Sequence, residues 1–158
     1  MHGGPQALGF LRAAPAVGAL LMSIAMTRWP IEKAIGYKLL AAVAVFGLAN
    51  IGFGLSTNLG LSIFFLAIAG AADNISVVTR LTLMQIETPD EMRGRVAAVN
   101  GVFIGASNEL GEFESGATAA LLGPVGSVVL GGVGTMLVAL AWLKLFPALA
   151  KRDTMAST

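Results

Sequence analysis

The sequence contains no cysteine and only one histidine, His2, among its 158 residues. The lack of cysteine excludes a disulfide framework and a thiolate metal site. A single histidine also excludes a histidine-based metal site, and its position leaves no basis for a serine–histidine catalytic pair. Charged residues make up 12% of the chain, against about 25% in a soluble domain. The net charge of +1 gives no reason to expect a nucleic acid as a partner. We therefore expect no enzyme activity, no cofactor and no metal.

Apolar residues dominate what remains. The chain is 56% hydrophobic with 20 glycines, its mean hydropathy is +0.80, and glycine is commoner in membrane helices than in soluble ones. Crossing a hydrocarbon core of ~30 Å takes about 20 residues. Five runs meet that length, and they cover residues 7–27, 38–56, 60–86, 89–122 and 125–146. The sequence predicts an all-α, polytopic membrane protein with about five transmembrane helices in a single membrane domain, embedded in a lipid bilayer.

Local signals predict where these helices begin and end. Residues 56–60, STNLG, are typical of a tight turn, and residues 122–127 contain a glycine–proline turn. Residues 88–91, TPDE, match a capping box in which Thr88 is the N-cap, proline is the first helical residue and Glu91 is the third. This pattern predicts that the fourth helix begins at Pro89, outside the bilayer, and enters it near Val96.

The distribution of basic residues predicts the orientation. Lysine and arginine occur in alternate connections and in the tail, at Arg28, Lys33, Lys38, Arg93, Arg95, Lys151 and Arg152. The turns at 56–60 and 122–127 carry no charge. Basic loops stay in the cytoplasm, so we expect a cytoplasmic C-terminus and, with five crossings, an N-terminus outside. No cleavable signal is evident, so an outside start favours a protein in which at least one helix precedes this chain.

One stretch, residues 100–116, is polar although both of its flanks are apolar. On a helix at about 100° per residue, one narrow stripe contains Gly101, Gly105, Glu109, Glu112 and Gly116, with Asn108 at its edge. An ionisable group at the centre of a membrane helix costs about 3 kcal/mol. A short carboxylate at mid-depth does not reach the interface, so Glu109 and Glu112 are functional candidates. Glu114 projects from the opposite side and is expected to be interfacial or structural. Paired carboxylates also occur in sugar hydrolases, but this stripe has no aromatic sugar platform.

The other ionisable groups at depth lie on the first and third helices. They are Arg12 on the first, and Asp73 and Arg80 on the third, where Asn74 is their polar neighbour. The second and fifth runs have none. This division predicts a water-filled cavity lined by the first, third and fourth helices. Two alternatives stay open: Arg12 and Arg80 extend to the interfaces, or one of them forms an ion pair with Glu109 or Glu112 that only holds helices together.

Residues 89–96, PDEMRGRV, precede a long glycine-rich helix. They resemble the Pro-x-x-x-Arg-Gly-Arg signature of the major facilitator superfamily, a conformational loop carried here by Pro89, Arg93, Gly94 and Arg95. Residues 8–18 and 105–116 are similar to the branch that includes the enterobactin exporter and related bacterial efflux proteins. The loop at 28–38 stands where that superfamily has another signature, but it lacks the usual glycine and aspartate.

The resemblance covers nearly the whole chain and implies that the five runs are helices eight to twelve, a partial C-terminal six-helix bundle of a major facilitator fold. It implies proton-coupled efflux of a small molecule, such as a siderophore, drug or metabolite, from the bacterial inner membrane by alternating access. Glu109 or Glu112 is then the protonation switch, with Asp73 beside the transport path. Asn74, Asn108, Arg12 and Arg80 then line the cavity. The partners are protons, the substrate and the missing N-terminal half of the transporter.

Two other interpretations fit the same residues. The first alternative is a small membrane protein that functions as a homo-oligomer and forms a channel or a scaffold. The second is a truncated transporter without activity, because alternating access needs two halves that rock about a central site.

Overall fold

The computed structural model describes residues 4–29 and 35–145, and within these ranges the chain is helical without strands. The helices are α1 (Pro5–Arg28), α2 (Ile35–Leu55), α3 (Leu59–Glu87), a short 3₁₀ turn (Asp90–Met92) and α4 (Arg93–Leu145). The described residues contain four helices that are long and apolar enough to cross a membrane. This confirms the prediction of an all-α polytopic membrane protein. Lys33, Lys151 and Arg152, on which part of the predicted orientation rests, lie outside the described residues.

A reversal at Gly123 divides α4 into two limbs, residues 93–122 and 124–145. Gly123 has φ 77° and ψ 165°, a conformation that only glycine adopts readily. Beyond it, the Ser127 hydroxyl lies 2.7 Å from the Thr118 hydroxyl and donates to the Ser115 carbonyl at 3.2 Å. Residues 115 and 127 of a straight helix would be about 18 Å apart. The limbs therefore lie side by side near the reversal, at the predicted 122–127 turn.

Replacing Gly123 with alanine is expected to destabilise the hairpin by about 1–3 kcal/mol, the cost of a side chain in this backbone conformation. An added Cβ there would meet no atom within 4 Å, so the effect would come from the backbone alone. The matched control is Gly134→Ala in the helical second limb, where a Cβ also meets nothing within 4 Å and alanine is the better helix former. Denaturant unfolding in detergent micelles measures both. Equal stability of the two variants would contradict a glycine-dependent reversal.

The helices pack as a layer in the order α1, α3, α2 and the second limb of α4. Small residues permit this packing because they let two helix backbones approach closely. A Cβ added at Gly18 would overlap the Ala67 carbonyl, and one added at Gly70 would overlap the Pro15 carbonyl. On the other side of the layer, a Cβ at Gly47 would lie 2.9 Å from the Gly132 carbonyl oxygen.

The turn between α2 and α3 forms as predicted. Asn58 is the N-cap of α3, and its side chain accepts a hydrogen bond from the Gly60 amide at 2.8 Å. The buried Ser62 hydroxyl donates to the Ser56 hydroxyl at 3.2 Å. These side chains satisfy polar groups that the adjoining helix ends would otherwise leave unpaired.

The predicted capping box at residues 88–91 is wrong. Thr88 instead ends α3, and its hydroxyl donates back to the Met84 carbonyl at 2.6 Å. Proline disfavours a helical conformation in the residue before it, and Thr88 is accordingly extended, with φ −96° and ψ 124°. Pro89 is followed by the 3₁₀ turn, and α4 begins only at Arg93.

Candidate functional site

The first limb of α4 is almost uncovered by the rest of the described chain. The only buried residues of α4 are Gly132 and Ala139, and both belong to the second limb. Large apolar side chains of the first limb are exposed, including Val102 at 72% and Phe113 at 76%. This limb is therefore a membrane-length helix whose surface remains available to lipid, water or another polypeptide.

Contacts identify which sides of the first limb face the rest of the chain. The side containing Ser115 and Thr118 faces the second limb. The side containing Val99 and Phe103 lines a groove with Met84 at the end of α3. At about 100° per residue, the stripe centred on Gly105 and Glu112 lies roughly 150° from the side of Val99 and Phe103 and about 100° from the side of Ser115 and Thr118. In the described structure the stripe thus faces away from the end of α3 and sideways from the second limb.

The stripe side chains have no partner among the described residues. Glu109, Glu112 and Asn108 are exposed, and residues 4–29 and 35–145 provide neither carboxylate with a hydrogen bond or ion pair. The alternative ion pair with Arg12 or Arg80 is thus not formed there. A Cβ added at Gly101, Gly105 or Gly116 would meet no atom within 4 Å. The stripe is a surface of small residues and free carboxylates.

The polar residues of α1 and α3 form a separate group. The Asn74 side-chain amide donates to the Ser23 hydroxyl at 3.0 Å and joins the two helices. Asp73 and Arg80 are exposed on α3, and Arg12 is exposed on α1. Helices α1 and α3 run parallel, and the hydrogen bond places Ser23 at the same height as Asn74. Arg12 is 11 residues before Ser23, so it lies about 16 Å from that height along the helix axis. Asp73 and Arg12 are thus well separated.

The cavities of the described chain do not join these two groups. Asp73, Glu109 and Glu112 line none of four prominent cavities that are formed by described residues. α3 packs on α1 and α2, whereas α4 packs on α2. A cavity shared by Asp73 and the stripe carboxylates, as predicted, would need further polypeptide to close it.

Glu114 lies in a place that sequence reasoning missed. It lines a cavity of about 660 Å³ between the two limbs of α4, together with Ser115, Thr118, Ser127 and Thr135. The hydroxyls of Thr118 and Thr135 are satisfied by the backbone carbonyls one turn earlier, at 2.8 and 2.9 Å. The sequence contains one signal for this arrangement, the hydroxyl residues Ser115, Thr118, Ser127 and Thr135 on both sides of the glycine–proline turn. These residues face one another across the hairpin, and Glu114 lies beside them.

The residues of the loop signature form a compact connection between α3 and α4. An Arg93 guanidinium nitrogen lies 2.9 Å from an Asp90 carboxylate oxygen, and Arg93 Nε donates to the Thr88 carbonyl at 3.3 Å. Pro89 is the residue before the 3₁₀ turn. Gly94 and Arg95 lie in the first turn of α4, and both are exposed. One arginine thus ties the end of α3 to the start of α4.

These features define a polytopic α-helical membrane protein with an uncovered carboxylate stripe. The described residues contain no group of three or more histidine, cysteine, aspartate or glutamate side chains that could hold a metal ion. No protein-family model, curated protein or solved structure matches the chain.

Proposed function

We propose that this chain is the C-terminal part of a major facilitator transporter that exports a small molecule from the bacterial inner membrane in exchange for protons. The observation that carries this proposal is the position of Glu109 and Glu112 on an uncovered side of a membrane-length helix. Such carboxylates are rare within membranes and mark ion and substrate pathways where they occur.

The stripe cannot face the hydrocarbon of the bilayer without a large energetic cost. Two carboxylates facing hydrocarbon would cost about 3 kcal/mol each, so water or protein must lie against Glu109 and Glu112. The described residues provide neither an ion-pair partner nor a packed helix there. In this proposal the surface that completes the site belongs to the remaining helices of the transporter, which enclose a water-filled cavity against the stripe.

The coupling mechanism follows from the chemistry of a carboxylate in two environments. Burial in a low dielectric disfavours the charged form of a carboxylate, whereas water or a nearby cation favours it. A stripe that is exposed alternately to the two sides of the membrane would load a proton on one side and release it on the other. Glu109 and Glu112 perform this exchange, and Asp73 and Asn108 contribute to the path of the substrate, a siderophore, drug or metabolite.

Substitution of the two carboxylates tests this role in the assembled transporter. Glu109→Gln or Glu112→Gln is expected to lower proton-driven efflux by about tenfold or more, equivalent to about 1.4 kcal/mol in the barrier. Glutamine keeps the size and polarity of the side chain but cannot exchange a proton. The readout is substrate uptake into inverted membrane vesicles with an acidic lumen, because export from the cytoplasm becomes uptake when the membrane is inverted.

Glu114→Gln is the matched control, because Glu114 lies on the same helix but inside the hairpin. It should leave efflux within about twofold of the unmodified protein, less than 0.5 kcal/mol in the barrier. Unchanged efflux in both stripe variants would show that the carboxylates are structural.

A homo-oligomeric channel or scaffold is the second candidate. The exposed apolar side chains Phe103 and Leu110 favour it, because a second copy of this chain would cover them as well as another protein would. The mass of the detergent-extracted complex separates the two functions. A mass that is a simple multiple of the 16.2 kDa chain favours the homo-oligomer, and a complex with a different polypeptide favours the transporter.

A further inference from the structure

An open groove separates α1 from α2 on the surface of α3. Its volume is about 520 Å³, and its lining includes Met22, Ala41, Val45, Ile68, Ile75 and Lys38. It arises because α1 and α2 both pack on α3 rather than on each other. The walls are apolar apart from the single lysine, so the interior suits a hydrocarbon and not a polar solute.

The groove spans about two thirds of one leaflet of the hydrocarbon core, which is ~15 Å deep. Its α2 wall runs from Lys38 to Val45, about 10 Å along the helix axis. Lys38 is three residues from the start of α2, which is itself about the length of the hydrocarbon core. The groove therefore extends from the interface at the N-terminal end of α2 to near the middle of the membrane.

Lys38 is the one charged residue among the described residues that line the groove, and it lies at the interfacial end. It is exposed, and the described residues give its ammonium group no ion pair or hydrogen bond. Basic loops predict that this end of α2 is cytoplasmic, and the cytoplasmic leaflet carries the anionic lipids of a cell membrane. An ammonium group above an apolar groove complements a phosphate group above an acyl chain.

We propose that this groove binds an anionic phospholipid of that leaflet, with one acyl chain between α1 and α2 and the headgroup phosphate at Lys38. The apolar walls hold the chain, and Lys38 selects for headgroup charge. This inference is independent of the transport proposal, because it uses no residue of the carboxylate stripe and applies to any assembly that leaves the groove facing lipid.

Native mass spectrometry of the detergent-extracted protein tests the headgroup assignment. The protein is supplied with equal amounts of phosphatidylglycerol and phosphatidylcholine, and the lipid that remains bound is counted. Phosphatidylglycerol should be retained preferentially. Lys38→Gln should lower that preference about fivefold, which corresponds to the roughly 1 kcal/mol contributed by one lysine near an anionic surface.

Two variants distinguish lipid binding in the groove from nonspecific attraction of an anionic lipid to any exposed lysine. Ala41→Phe places a ring in the open groove at an exposed position and should reduce retention of both lipids. Lys144→Gln removes an exposed lysine near the end of α4 and should leave the preference unchanged. Unaltered lipid retention in Ala41→Phe would overturn the assignment of the groove as the acyl-chain site. An equal loss of preference in Lys38→Gln and Lys144→Gln overturns the role of Lys38.

The occupant is identified by photo-crosslinking in native membranes. With benzoylphenylalanine in place of Ala41, the crosslinked product should be a phospholipid. Inorganic phosphate added to the detergent-extracted protein should not displace phosphatidylglycerol, because it lacks the acyl chain. A crosslink to a polypeptide, or displacement by phosphate alone, overturns the proposal.

Discussion

Gly18→Ala and Gly70→Ala are expected to separate α1 from α3, with a loss of unfolding free energy of about 3 kcal/mol or more for each. The added methyl group of either variant would overlap a backbone carbonyl of the opposite helix, at Ala67 or Pro15. Overpacking against movable side chains already costs about 1–3 kcal/mol. A backbone carbonyl cannot rotate out of the way, so the helices must move apart and lose packing along their contact.

The control for this experiment is Gly105→Ala. It makes the same chemical change at a helical glycine, but the new Cβ meets no atom within 4 Å. Stability should stay within about 1 kcal/mol of the parent and change in the favourable direction, because alanine is the better helix former. Unfolding in detergent micelles, followed by circular dichroism, gives all three values. If Gly18→Ala and Gly105→Ala behave alike, the close contact between α1 and α3 does not exist.

Gly105→Leu is expected to weaken assembly with the polypeptide proposed to cover the stripe, while leaving the fold of this chain unchanged. Glycine beside Glu109 and Glu112 lets another backbone approach the carboxylates closely. Leucine would hold that backbone away, and a lost close contact at the centre of an interface typically costs 2 kcal/mol or more. The expected result is a decrease of about 30-fold or more in the association constant, measured as a smaller fraction of chain recovered in the complex.

Ala117→Leu is the matched control for assembly. Ala117 is exposed on the same limb, about 120° around the helix from the stripe, on the apolar side with Leu110. Its substitution should leave both the complex and the stability of the chain unchanged. Chromatography of the native-membrane extract with light scattering measures the complex. Equal assembly of the two leucine variants would show that the stripe is not the contact surface.

Helix positions were predictable because hydrophobicity over a membrane-length window determines them. The turn at 56–60 was predictable for a local reason, since Asn58 caps a helix with its own side chain. The start of α4 was not, because Thr88 fits the sequence pattern of an N-cap and is nevertheless kept extended at the end of α3 by Pro89. Local patterns identify a residue that can cap but not which helix it serves.

Which helices pack against each other could not be predicted from the sequence. Glycines occur on every helix, yet those at 18 and 70 lie in a tight contact while those at 101 and 105 lie in open space. Spacing alone does not distinguish these cases, because both require a small residue on one helix face. The carboxylate stripe was recognisable from its periodicity. Its separation from Asp73 was not, since that depends on which helices pack together.

The hairpin at Gly123 has a mechanical consequence. The first limb of α4 is attached near its two ends, through Arg93 and Asp90 at one end and Thr118 and Ser127 at the other. Between these attachments it has no buried residue. It is therefore a helix supported at both ends, and a roll about its own axis would displace no residue that is buried in the described structure. Such a roll would carry Glu109 and Glu112 sideways together while the layer of α1, α3, α2 and the second limb stays at rest.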